Sequence, residues 1–485
     1  MTFNLVEATI GDIQTALESG EITSYQLVLI YLERIARHDK SGLTVNSVLM
    51  INPDALFIAE ALDAERKVHG SRGPLHGIPV LLKDNINTGD KMPTSAGSLA
   101  LAHSFALEDA HLVTKLRKAG AVILGKANMT EFANFMTSGM PSGYSSRGGQ
   151  VMNPYNISHP TGGSSSGSAV AVACNFCTVS VGTETSGSIL NPSNLGSIVG
   201  IKPTVGLISR SGILPLCNSQ DTAGPMARTV KDAALLLDVL AGIDESDPAT
   251  VSSTGRTVKD YTAFLDTDGL RGARIGIPRD FYFDELPEEE LALFNHAVEQ
   301  MRQAGAVIVD PADVRTARQI VYTSVLLNEF KNNLQAYLSK LGPGAPMRTL
   351  QDIIEFNNAH PMETLKYGQT TLLDAEYRTS GHLTEPKYLQ DRANDLRLCK
   401  TEGIDATMEE HQLDALLFPG DYGSRTAARP GYPSIIVPAG YTSKGVPFGV
   451  TFTAKAYEEP KLLKLAYSFE QHTKVRHPPS MKSYL

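Results

Sequence analysis

Cysteine is scarce in this chain, with 4 in 485 residues, too few for a disulfide framework to stand in for a hydrophobic core. Cys174 and Cys177 form a C-x-x-C pair. No second ligand pair accompanies them, so buried packing is expected rather than zinc or redox chemistry. No segment approaches the roughly 20 consecutive apolar residues that a membrane-spanning helix needs. The first residues, Met1-Thr2-Phe3-Asn4-Leu5-Val6-Glu7, have neither the basic nor the apolar region of an export signal, and a cytoplasmic location is expected. Basic charge is also short: 43 Lys and Arg stand against 52 Asp and Glu, a net charge of -9. With no basic stripe either, a nucleic-acid partner is not expected. H-E-x-x-H clusters, phosphate-binding loops, dinucleotide fingerprints and internal repeats are missing, so neither a metal nor a cofactor is expected. What is left, 42% hydrophobic and 20% charged residues, describes a globular protein of one large domain or two smaller ones.

The informative stretch runs from Pro160 to Pro203. It holds two Gly/Ser clusters, Gly162-Gly163-Ser164-Ser165-Ser166-Gly167-Ser168 and Gly182-Thr183-Glu184-Thr185-Ser186-Gly187-Ser188. The run between them, Ala169 to Val181, is mostly Ala, Val and Cys. Such a run is a buried helix or strand that holds the clusters at a fixed separation. Serine hydroxyls beside exposed backbone N–H groups suit nucleophilic catalysis with an anion-stabilising pocket; flexible linkers are the plainer alternative. A second unusual residue is Lys83, at the end of the apolar run Ile78-Pro79-Val80-Leu81-Leu82 and before Asp84-Asn85. A lysine there either snorkels to water or lies desolvated among partners.

The remaining pattern alternates strands and helices. Helices are expected within 5–40, with Thr9 to Asp12 as a first cap and Thr23 or Ser24 opening a second helix. Further helices are expected at Ala55–Val68, Asp109–Ala119, Thr229–Leu240, Glu288–Ala304 and Lys461–Gln471, with a helix start at Asn128–Ala133. Strands are expected near Val45–Ile51, Ile78–Leu82, Ala121–Gly125, Arg274–Ile277, Ala306–Val309, Leu413–Pro419 and Ser434–Pro438, with a last one after Gly445. The segments 200–204 and 221–228 are expected to be turn-rich, and 317–406 a mostly helical cover. Together these elements indicate an α/β protein.

Gly163-Ser164-Ser165-Ser166-Gly167 satisfies G-x-S-x-G, but no core strand precedes it and no histidine, His76 and His111 included, stands where a triad base would. A neutral lysine remains as the base, with two serines in series to relay the proton. Spacing leaves open which serine attacks.

The set Lys83, Gly162–Ser168 and Gly182–Ser188, with Asn128–Ala133 and Asn153-Pro154-Tyr155, strongly resembles the amidase signature family. The resemblance runs from about Glu7 to the C-terminus. It implies an α/β fold, a large twisted mixed sheet with helices on both faces. It further implies a single domain over 1–485, with catalytic loops at about 70–230. It implies a Ser-cisSer-Lys triad, with Ser188 as nucleophile, Ser164 as bridging serine on a cis peptide bond and Lys83 as base. Backbone N–H groups of Thr185, Ser186, Gly187 and Ser188 would form the oxyanion hole, with Ser165 holding Lys83 and Ser166 and Ser168 bonding backbone. Gln220, Asp221 and Thr222 are candidate substrate contacts, as is the region Asn328–Asn333. The chain departs from the family pattern at Glu184, Ser186 and Leu190, where the family has Asp, Gly and Arg. Gly143–Gln150 and Ser219–Met226 are most similar to the bacterial peptide amidases. The activity implied is hydrolysis of C-terminal peptide amides by a monomer or homodimer acting on a small-molecule or peptide amide. The alternatives are a general acylamidase, an amidotransferase A-type subunit and an inactive binding subunit.

Overall fold

The computed structural model describes residues 3–321 and 323–481. In chain order it contains α1 (Ile10–Ser19), α2 (Ser24–Arg34), β1 (Val48–Ile51), α3 (Ala55–His69), β2 (Pro79–Lys83), α4 (His111–Lys118), β3 (Val122–Ala127), β4 (Tyr144–Ser145), β5 (Gly149–Gln150), α5 (Ser166–Ala173), β6 (Val179–Glu184), α6 (Leu190–Leu195), β7 (Val199–Lys202), β8 (Thr222–Ala227), α7 (Val230–Leu240), β9 (Arg274–Gly276), α8 (Glu288–Gln303), β10 (Val307–Val309) and α9 (Val325–Ser339). Shorter helices fill 350–410, and β11 (Ala415–Pro419), β12 (Ser434–Tyr441) and β13 (Pro447–Thr453) precede a final helix, Glu459–Thr473.

The helix starts follow from their caps. Thr9 and Thr23 each accept from the N–H three residues on, and the side chains of Asp12 and Gln26 return the bond, forming capping boxes. Eleven strands form one mixed sheet in the order β1-β3-β2-β6-β8-β7-β12-β13-β11-β9-β10, and β4 and β5 form a separate hairpin. An α/β fold built on a large mixed sheet is therefore what the chain adopts.

Two stretches read as turns are strands. β7 and β8 lie in the middle of the sheet, between β6 and β12. Their Gly and Pro residues hid them, and the glycine at 224 serves close packing: a Cβ there would lie 2.0 Å from the Ile201 carbonyl oxygen. Asn128–Ala133 does not open a helix. The chain makes a short 3₁₀ turn, Glu131–Asn134, in which Phe132, Ala133 and Asn134 take positive φ of 48°, 56° and 73°.

Topology decides where the site lies. β2 is parallel to both β3 and β6, and β8 runs antiparallel to β6 with Thr222 opposite Glu184. The carboxyl ends of β3, β2 and β6 and the start of β8 therefore share one edge of the sheet, the side on which open α/β sheets bind ligands. The main core runs along the sheet, and a second apolar cluster joins residues 96–140 and 214–217 to α9 and the helices at 350–375. That second cluster walls the sheet edge. Cys174, Cys177, Cys217 and Cys399 are all free and buried, as the C-x-x-C reading required.

Candidate active site

α5 and β6 form an out-and-back unit. The helix leaves the site from Ser166 and the strand returns to it at Glu184. The fixed separation of the two serine clusters is direct contact: the Ser165 N–H donates to the Ser188 carbonyl at 3.1 Å. Glycine is required at the start of α5, because a Cβ on Gly167 would lie 2.2 Å from the Ser47 carbonyl oxygen.

Lys83, the last residue of β2, is fully buried. Its Nζ donates to Ser164 Oγ at 2.8 Å and to the Thr183 carbonyl at 3.0 Å. Desolvation pushes its pKa from an ordinary 10.5 down to about 7, partly opposed by the carboxylates of Asp221 and Glu184. Of the two alternatives for this lysine, the desolvated one holds. The Gly163–Ser164 peptide is cis.

Ser165 does not hydrogen-bond Lys83. Its Oγ donates to the Thr183 carbonyl at 3.0 Å, so it supports the lysine through a shared acceptor. Ser166 bonds backbone as expected, donating to the Gly162 carbonyl at 2.6 Å. Ser168 does not: its hydroxyl is buried without a hydrogen-bond partner among the described residues.

Ser188 and its neighbours Thr185 and Ser186 line a cleft of about 470 Å³, together with Gly163 and Gln220. Gly187 departs from the expected oxyanion-hole role. Its N–H donates to Glu184 Oε1 at 2.7 Å, while the N–H groups of Ile189 and Leu190 donate to Oε2 at 2.7 and 3.0 Å. Glu184 thus ties down the loop by three charge-assisted bonds, and no arginine is needed at Leu190. Gly187 itself sits at φ +82°, a conformation that favours glycine.

Among the candidate substrate contacts, Gln220 alone lines this cleft. Asp221 is committed to protein: Oδ1 accepts from Thr185 Oγ1 at 2.5 Å, and Oδ2 from the N–H groups of Leu216 and Cys217 at 2.7 and 2.8 Å. Although the residue is only half-buried, protein surrounds its carboxylate, and desolvation raises its pKa to about 6. Thr222 is the first residue of β8, and its hydroxyl donates to the Ala223 carbonyl. Asn328–Asn333 also miss the cleft, since α9 turns Glu329 to accept from the Ser219 N–H at 2.9 Å.

Sequence reasoning missed the far wall: Asn134, Phe135, Met140, Thr323, Thr371, Arg425 and Arg429. One signal was available. Arg425 and Arg429 are four apart around the short helix Ser424–Ala428, a spacing that places both on one face.

With this geometry in place, comparison with known proteins decides the family. The amidase family pattern matches residues 26–463. The chain belongs to the amidase family. It is similar to the native peptide amidase from Stenotrophomonas maltophilia, 46% identical with a TM-score of 0.91 over 98% of this chain and 99% of that one. An amidase family protein from Bacillus anthracis superposes with a TM-score of 0.93 at 40% identity, over 98% and 93% of the two chains. A probable amidase of Arabidopsis thaliana is 42% identical over 99% of this chain and 92% of its own length.

Proposed function

We propose that this member of the amidase family hydrolyses C-terminal peptide amides to the free acid and ammonia, through an acyl-enzyme on Ser188. The observation that carries the reading is the 2.8 Å bond from Lys83 Nζ to Ser164 Oγ, made by a lysine whose pKa is brought to about 7. A lysine so placed is neutral in a large share of molecules at neutral pH and can accept a proton. The likeness to the peptide amidase supports the substrate class, and a cleft open beside Ser188 supports an extended acyl group.

In the proposed sequence, Ser188 Oγ attacks the amide carbon as its proton passes to Ser164 and that of Ser164 to Lys83. The oxyanion is bound by backbone N–H groups of Thr185, Ser186 and Ser188, the Gly187 N–H being held by Glu184. Each such donor is worth about 3 to 4 kcal/mol of transition-state stabilisation. Collapse of the tetrahedral intermediate breaks the C–N bond, and the proton returns through Ser164 to the leaving nitrogen, which departs as ammonia. Water then adds to the ester carbon by the same proton path and frees the acid and Ser188.

The test is ammonia release from C-terminal peptide amides, simple aliphatic and aryl amides, and free glutamine, with Ser188→Ala as the blank. Release from peptide amides that disappears in the blank is expected. Turnover confined to simple amides would discard the peptide assignment and leave the triad standing.

A further inference from the structure

The cleft beside Ser188 carries charge of one sign. None of its lining residues is acidic, and the two that carry charge are Arg425 and Arg429. Arg429 is neutralised. It is 6% exposed, pairs with the Asp395 carboxylate and donates to the Val321 carbonyl at 2.6 Å. Arg425 is exposed, and among the described residues it has no hydrogen-bond or ion-pair partner. It stands beside the nucleophile loop, since a Cβ built on Gly187 would lie 3.2 Å from the Oγ of the adjoining Ser424.

Arg425 also lines an adjoining cavity, with Asp284, Glu285 and Asp421. The Asp421 carboxylate lies by the nucleophile loop too, 3.5 Å from the Cβ position of Gly187. Asp284 pairs with Arg318 at 2.8 Å, and Asp421 accepts from Asn191 Nδ2 at 3.0 Å. None of the three comes within ion-pairing distance of Arg425. Its guanidinium is thus an unspent, forked donor at the edge of a cleft with no anion of its own, suited to a carboxylate.

We propose that Arg425 sets acyl specificity by pairing with a carboxylate on the acyl part of the substrate. This rests on the amide hydrolysis proposed above and names the acyl class for it. A primary amide loses only ammonia, so every other group of the substrate belongs to the acyl part and meets this wall. A cationic acyl group would meet the unpaired guanidinium of Arg425 and no acidic lining residue.

The experiment compares kcat/KM within two matched sets, in the wild type, Arg425→Gln and Arg425→Glu. One set is a peptide amide carrying Glu, Gln or Lys upstream of the amide-bearing residue. The other pairs glutaramic acid with valeramide. Acidic members are expected to exceed neutral ones by about two- to fivefold in the wild type, the range of an ion pair open to water. The preference should vanish in Arg425→Gln and pass to the cationic peptide in Arg425→Glu. Each ratio is internal to one protein, so loss of folded enzyme does not alter it. A wild type that treats Glu and Gln alike, or an acidic preference unchanged in Arg425→Gln, overturns the proposal. Turnover of glutaramic acid and valeramide without peptide amides would overturn the peptide reading, while their ratio still decides the role of Arg425.

Discussion

Ser165 and Thr183 hydrogen-bond in both directions: Ser165 Oγ donates to the Thr183 carbonyl at 3.0 Å and accepts from the Thr183 N–H at 3.2 Å. That carbonyl also receives Lys83 Nζ at 3.0 Å. The start of α5 thereby braces the end of β6, and the end of β6 aims the lysine. Ser165→Ala should lower kcat about tenfold and stability by about 1–3 kcal/mol, the cost of leaving buried partners unpaired. The pH midpoint should stay in place, because no charge is removed. Thermal unfolding and a pH–rate profile check both parts; an unchanged kcat would remove the bracing role.

The roles assigned within the serine cluster separate by mutation. Ser188→Ala should abolish ammonia release, and Ser164→Ala should come close to doing so. Ser166→Ala should keep most activity, since that hydroxyl only ties down the Gly162 carbonyl. Lys83→Arg should fail as well, because arginine keeps its proton at any working pH. Equal losses across Ser164, Ser166 and Ser188 would contradict these assignments.

Activity should follow the charge on Lys83. In the proposed mechanism the neutral amine is the competent form, so kcat/KM should rise with pH through about 7 and level off above it. Asp221 and Glu184 raise the lysine pKa by their charge, against the larger effect of burial. Asp221→Asn should therefore move the midpoint to lower pH, and Glu184→Gln should move it the same way. A midpoint that stays fixed in both variants would mean another group controls the profile.

The buried lysine should cost stability. Its pKa falls from 10.5 in the open chain to about 7 in the fold. Below about 7 both states are protonated and the fold carries the full penalty. The penalty shrinks as pH rises from about 7 toward 10.5 and vanishes above that. Lys83→Met should thus raise Tm most at pH 6–7 while eliminating turnover, with the difference fading toward pH 10. After subtracting the lost bonds to Ser164 and Thr183, the gain is on the order of 1–3 kcal/mol. Differential scanning calorimetry across that range provides the check, and a lower Tm at pH 6–7 would contradict the sign.

Much of this was legible in the residues, for definite reasons. Lys83 stood out because a charge ends an otherwise apolar strand, and the serine clusters because they bracket a buried run. The cap at Thr9 announced itself by Asp12 three residues on, and the second helix start was narrowed to Thr23 or Ser24, of which Thr23 is the cap. The misses share a cause, which is that residue type does not reveal what lies across space. Pro225 and Gly224 look like a turn until β6 and β7 are seen to flank them. Asp221 looks like a free carboxylate until Leu216, Cys217 and Thr185 are found bonded to it. Gly187 looks like an oxyanion donor until the longer side chain of Glu184 reaches its N–H. The cleft wall was hidden most thoroughly, because Phe135, Thr323 and Arg425 meet only once the second apolar cluster has folded against the sheet edge.

The seclusion of all four thiols has a practical consequence. Burial keeps them protonated, with Cys177 pushed up to about 12. A thiol-modifying dye therefore finds no target on the intact molecule and reports only chains that have opened. Labelling rate becomes a clock for unfolding that can run in the same tube as an ammonia assay, because the chemistry assigned to Ser188 uses no sulfur.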